Sequence, residues 1–148
     1  MSAPSVAFDV DGVRAELPVL HKRLEGKSLV YLDSACTALK PLPVVRAMEE
    51  MYAGRLDERL GELAHHFAQG EVWDKAAHYA RQTGDRAVAL CVDARAVEFY
   101  ERALNAIGRL PGTPGTGRLG IDVRLALRAP LWRAGRLDRL FEIFREAE

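Results

Sequence analysis

A chain of 148 residues sets 21 Lys and Arg against 21 Asp and Glu, so its formal net charge is zero. Phosphate backbones demand a basic excess, and its absence argues against nucleic acid as the main partner. The 49% hydrophobic and 28% charged content is a globular balance, in a length that suits one domain able to bury a core without disulfides or metal.

Cys36 and Cys91 form no metal-binding spacing. The N-terminus MSAPSVAFDV lacks the basic lead and apolar core of a signal peptide. No apolar run approaches the ~20 residues of a membrane helix. These features predict a cytoplasmic protein with reduced thiols, without a nucleic-acid or membrane partner. At zero net charge, repulsion does not oppose self-association.

In chain order, residues 1–9 read as a disordered lead-in. Residues 10–20 are weakly helical, with Val13, Leu17 and Leu20 on one face and Pro18 interrupting. HKRLEGKS, 21–28, is a charged turn around Gly26. LVYL, 29–32, is a short β-type run with no second strand to pair it. DSACTALKPLP, 33–43, reads as a loop.

Val13-Arg14, Leu17-Pro18, Tyr31-Leu32-Asp33-Ser34-Ala35, Lys40-Pro41 and the helix after Pro43 resemble the N-terminus of a class V aminotransferase-type cysteine desulfurase, over about residues 10–54. The resemblance implies that Asp33, Ser34, Ala35, Cys36 and Thr37 form a loop near the substrate side of a pyridoxal phosphate site. Cys36-Thr37 departs from the small residues usual there. The family's Schiff-base lysine, ring-stacking histidine, pyridine aspartate and persulfide cysteine come from later segments; Lys40 belongs to the N-terminal motif and is not the cofactor lysine.

Pro43 suits a first helical turn, with Val44, Val45, Met48, Met51 and Tyr52 as the apolar side. The stripe continues in phase through Leu56, Leu60, Leu63, Ala64 and Phe67. One helix over 43–69 is expected, with Gly54 costing it about 1 kcal/mol; a hinge at Gly54 is the competing reading. Gly70 is expected in the left-handed position that ends it. In 71–92, EVWDKAAHYARQTGDRAVALCV, the residues Trp73, Ala76, Ala77, Ala80, Gly84, Ala87, Val88 and Cys91 share one small-sided helical stripe. Such a helix needs bulkier neighbours, and Ala96, Val97, Tyr100, Ala103, Leu104 and Ile107 supply the second flank. Asp93 is the expected N-cap of a helix over 94–110.

Residues 55–148 resemble the tetratricopeptide-like helical region of bacterial adenylate cyclase-type and AAA/LuxR-type signalling proteins. The resemblance is carried by Leu63-Ala64-His65-His66, Gly70-Glu71-Val72-Trp73, Ala76, Tyr79, Gly84 and the Ala96…Tyr100…Ala103 spacing of a second repeat helix. It implies a sensor or scaffold arm without chemistry of its own. PGTPGTG, 111–117, reads as a linker: it lacks the lysine of a phosphate loop and follows a helix. Residues 119–134 alternate like a strand at Ile121, Val123, Leu125 and Leu127; the resemblance favours a helix that Pro130 bends or ends early. Leu137, Leu140, Phe141 and Phe144 form an amphipathic last helix, with no polar cap after it.

Candidate chemistry is thin. His65, His66 and His78 lack zinc-ligand spacing, and Ser34, Cys36 and Thr37 have no base nearby in sequence. Trp73 and Trp132 read as packing aromatics and Cys91 as a small core residue. Arg118, Arg124, Arg128, Arg133, Arg136 and Arg139, partly offset by Glu142, Glu146 and Glu148, make a solvated face or a groove for an acidic partner.

The fold expected is mainly α: an antiparallel, tetratricopeptide-like array over 42–148, after a loosely structured 1–41 containing one strand-like run. The function expected is non-catalytic: binding a protein or peptide partner through helix-packing residues Trp73, Ala76, Ala77, Ala80, Ala96, Tyr100 and Ala103, with no cofactor or metal. The competing expectation is a truncated pyridoxal phosphate-dependent desulfurase. Two unrelated resemblances meeting near Gly54 point to a fusion or a misread frame.

Overall fold

The computed structural model describes residues 9–24, 26–28, 41–52 and 56–145. The chain is mainly α. A short α1, Val10–Ala15, is capped by the Asp9 carboxylate, which accepts from the Gly12 amide at 2.9 Å. A 3₁₀ turn, Pro18–His21, leads to a two-rung antiparallel hairpin of β1, Arg23–Leu24, and β2, Lys27–Ser28. Gly26 turns the hairpin at φ 79°. Then come α2, Leu42–Tyr52; α3, Leu56–Gln69; α4, Trp73–Ala89; α5, Asp93–Ile107; α6, Pro114–Arg133; and α7, Leu137–Arg145. The lead-in 1–8, the strand-like run, Asp33, Ser34, Ala35, Cys36, Thr37 and the junction 53–55 lie outside the described residues.

Small side chains explain the stacking. Ala76, Ala77, Ala80, Gly84 and Ala87 are buried along α4, so neighbours approach its backbone closely. From α3, Leu63 and Phe67 fill one flank; from α5, Val97 and Tyr100 fill the other. The array continues as α6 packs on α5 and α7 on α6, while α2 leans on α3. Val123, Leu127 and Leu131 are fully buried on α6, and Leu140 and Ile143 are buried on α7.

Three helices end in the same Schellman turn, in which a left-handed residue lets two amides reach back to the last carbonyls. After α3, Val72 N donates to Phe67 O (2.9 Å) and Glu71 N to Ala68 O (3.2 Å). After α4, Val92 N donates to Ala87 O (2.8 Å) and Cys91 N to Val88 O (3.0 Å). After α6, Arg136 N donates to Leu131 O (2.9 Å) and Gly135 N to Trp132 O (3.1 Å). The residue that closes each turn also opens the next helix, since its carbonyl accepts from Ala76, Ala96 or Leu140 respectively.

Glu71 and Cys91 hold φ of 57° and 55°, a region that costs an L-residue roughly 1–2 kcal/mol. Gly135 holds the third such position at φ 69° without that cost. Cys91 is exposed, so its side chain supplies little in return. Cys91→Gly is therefore expected to stabilise the chain by up to about 1 kcal/mol after the added unfolded-state entropy is subtracted. Thermal unfolding should shift upward by about 2–4 °C; a downward shift contradicts the turn assignment.

Several expectations are corrected. The left-handed residue after α3 is Glu71, one position beyond Gly70, because the Schellman register puts Gly70 at the C-cap. Asp93 is the first residue of α5 rather than its N-cap; Val92 takes that place and the Asp93 carboxylate turns to Arg133. Helix α5 stops at Ile107, short of 110. The linker 111–117 is half helix: Pro114 starts α6, its missing N–H being one no helix needs there. Thr113 and Thr116 close a reciprocal capping box before it.

Pro130 does not stop α6 early, since it sits in the last turn and α6 runs to Arg133. Cys91 is exposed on its turn, not in the core. On α7 the buried face is Leu140 with Ile143, and Leu137, Phe141 and Phe144 are exposed. On α2 only Val45 is buried, with Val44 and Met51 in solvent. Trp132, read as packing, is 67% exposed because it points away from the face that meets α5. Helices α2 and α3 are separated by 53–55, so the question of one helix over 43–69 falls outside the described residues.

Candidate interaction surfaces

Among the residues singled out for helix packing, Ala76, Ala77 and Ala80 are buried on α4 and Ala96, Tyr100 and Ala103 on α5. Trp73 is half-buried at the start of α4, with the Arg109 guanidinium 5.8 Å from its ring. Where alanines of α3, α4 and α5 face one another they leave a cleft of about 230 Å³. Ala64, Ala68, Ala76, Ala80 and Ala106 line it, with Trp73, His65, Arg102 and Asn105 beside them. It is an apolar slot with a polar rim and no nucleophile–base pair.

Polar ties join the helices to one another. Glu49 of α2 accepts hydrogen bonds from Lys75 and Tyr79 of α4. Tyr100 of α5 donates to Asp85 of α4 at 2.6 Å. The Arg133 guanidinium donates to both carboxylate oxygens of Asp93, at 2.6–3.0 Å, joining the end of α6 to the start of α5. Arg139 of α7 holds Glu101 of α5 at 2.6 and 2.9 Å. Lys22 reaches Glu71 at 2.7 Å and Leu42 N donates to Glu16 O at 2.9 Å, so the N-terminal segment touches the array.

Burial raises the Tyr79 and Tyr100 hydroxyls, and their carboxylate partners Glu49 and Asp85 raise them further, so both stay protonated donors. Hydrogen bonds from Arg133 hold Asp93 below the usual carboxylate range. Burial pushes Glu49 up, but Lys75 and Tyr79 together outweigh it and hold it below its ordinary 4.5. The unfolded chain therefore takes up this proton first as pH falls. The contribution of the α2–α4 tie is complete above about 4.5 and is lost as pH falls through the lower folded value. Glu49→Gln should flatten the acid limb of a melting-temperature profile; an acid limb as steep as wild type contradicts the tie.

Large apolar side chains of α6 and α7 stand in solvent. Helix α6 is apolar on two sides: Val123, Leu127 and Leu131 face the core, while Ile121, Leu125 and Trp132 face solvent. Leu125 is 56% exposed. On the following helix Leu137, Phe141 and Phe144 are exposed at steps of four and three, with Phe141 at 62%. Sequence reading missed this face. The two-sided α6 imitated strand alternation, and the two phenylalanines of α7 masked Ile143 as its core residue.

The His65 and His66 rings lie 5.6 Å apart and tilted, and His78 meets the Tyr79 ring edge-on. Among the described residues no group of His, Cys, Asp and Glu is placed to hold a metal ion. No helix among them is long and apolar enough to cross a membrane.

No family model matches this chain, and no solved structure matches it. Over 47 residues it is 49% identical to cysteine desulfurases of Klebsiella pneumoniae, Escherichia coli and Escherichia fergusonii. The similarity lies at the desulfurase N-terminus. It covers 32% of this chain and spans only 12% of the length of the curated relatives it matches. The likeness to the desulfurases does not reach a pyridoxal phosphate-binding region.

Proposed function

We propose that this chain is a non-catalytic interaction module: a tetratricopeptide-like helical arm over 42–148, carrying a desulfurase-like segment over 1–41 at its N-terminal side. The observation that carries the reading is the set of apolar side chains that α6 and α7 leave in solvent, with Trp132, Phe141 and Leu125 more than half exposed. Apolar faces of this kind on a water-exposed helix pair mark protein-binding surfaces. Repeated helix hairpins joined by one turn type suit a stacked arm, and the buried Ala96, Tyr100 and Ala103 fit its second-helix pattern. A cytoplasmic setting accords with the cysteine usage.

The full chain used as bait should recover a defined protein from lysate, and Trp132→Ser with Phe141→Ser should lose it. A partner retained by the double variant, or an empty bait, contradicts the reading.

A second reading, a remnant of a pyridoxal phosphate-dependent desulfurase, is favoured by the 47-residue likeness alone. Under the interaction reading, added pyridoxal phosphate gives no Schiff-base absorption. A band that borohydride fixes onto one lysine would favour the remnant.

A further inference from the structure

Helix α6 shows solvent a regular stripe. Arg118, Ile121, Leu125, Arg128 and Trp132 follow one another at steps of three and four, so they lie on one face. All five are exposed. This spacing is that of a helix seam, and the seam has no opposing helix. It alternates arginine with apolar side chains. Neither Arg118 nor Arg128 has a carboxylate partner among the described residues. Along all of α6, Arg118, Arg124, Arg128 and Arg133 are opposed by one acid, Asp122. The antiparallel α7 follows through the Gly135 turn and carries the exposed Leu137, Phe141 and Phe144.

We propose that this face receives an acidic amphipathic helix from a partner protein, an inference that rests on the interaction reading above. Apolar side chains of the partner meet Ile121, Leu125, Trp132 and the α7 aromatics, and carboxylates at matching spacing meet Arg118 and Arg128. Charge complementarity selects this occupant. Arginine pairs with carboxylate through two parallel N–H donors, which repays its desolvation. A second copy of the chain serves poorly. Two α6 stripes crossing antiparallel about Leu125 set each arginine against an apolar residue, stripping its water with no counter-charge. An anionic membrane fits less well too. Membrane adhesion draws on clusters of about four to eight Lys or Arg, whereas Asp122, Asp138 and Glu142 are interspersed here.

The test uses the full chain and two labelled synthetic helices of about three heptads. Both have leucine at the seam positions; one carries glutamate beside the seam, the other lysine. Fluorescence anisotropy should show the glutamate helix binding about tenfold or more tighter than the lysine helix. That preference should shrink as salt shortens the screening length and invert in Arg118→Glu with Arg128→Glu. Both substitutions fall on exposed side chains without ties, so the fold is spared. Equal binding of the two helices, abolished by Phe141→Ser, overturns the acidic occupant while the interaction reading survives. Binding of neither helix, together with a concentration-dependent dimer or with adhesion to anionic vesicles, overturns it in favour of that occupant. Binding of neither, with no effect of Trp132→Ser or Phe141→Ser on any captured protein, overturns both.

Discussion

Phe67→Ala should cost this chain about 3–5 kcal/mol, the range for emptying a buried aromatic site. Phe67 is 1% exposed at the end of α3, where it plugs the angle between α3 and α4. Its ring stacks on Tyr79 with centroids 5.4 Å apart and planes 10° from parallel. The Lys75 ammonium sits 5.1 Å from its centroid. Alanine would leave Tyr79 half supported and draw the ammonium towards a void. Tyr79 also holds Glu49 of α2, so the damage should reach α2 as well. A domain has only about 5–15 kcal/mol in total, so the urea midpoint should fall steeply with little change in slope. A midpoint within error of wild type contradicts the packing.

Gly84→Ala reverses an ordinary rule. In an exposed helix, alanine is better than glycine by about 1 kcal/mol. Here an added Cβ lies 2.7 Å from both Cδ1 and Cε1 of Tyr100 and 3.1 Å from its Cγ. The ring cannot slide aside easily: Tyr100 is 2% exposed and its hydroxyl is held by Asp85 at 2.6 Å. Either α4 and α5 part or the ring leaves its rotamer, at about 1–3 kcal/mol. The net expectation is a loss of up to about 2 kcal/mol, after the propensity gain is set against the clash. In a Tyr100→Ala background the same substitution should be neutral or stabilising, and that coupling separates the clash from a general loss of helix. A stabilised Gly84→Ala in the wild-type background would mean that the two helices are not so close.

The parts of the fold that could be read from sequence are those where one helix face is apolar and the other is not. Helices α3, α4 and α5 obey that rule, so their small and large stripes identify the interior. Helix α6 breaks it. With Ile121 and Leu125 outside and Val123 and Leu127 inside, alternate residues are apolar on opposite sides, which is also the signature of a strand. Its start was hidden by proline and glycine density, although Thr113 and Thr116 make a capping box without the usual Glu or Gln. The turn after α3 misled because its left-handed residue is glutamate, and a glycine stands one position earlier.

The ties between helices were out of reach for another reason. Asp93 with Arg133, and Glu101 with Arg139, join residues far apart in the chain, and only the stacking order of helices makes them neighbours. The basic bias of the last third was visible in the sequence. That Arg133 and Arg139 are engaged while Arg118 and Arg128 flank an open apolar stripe was not, because it depends on which face α5 covers. The desulfurase-like residues Asp33, Ser34, Ala35, Cys36 and Thr37 fall outside the described residues.

Trp132 reports most directly on whether the α6–α7 face is open. In a Trp73→Phe chain it is the sole tryptophan. With 67% of its surface exposed, its fluorescence should be quenched by acrylamide nearly as readily as that of a free indole, at every protein concentration. Emission shielded from the quencher in the isolated chain, at high dilution, would mean that the face is already covered and that the molecule has no open side with which to hold another.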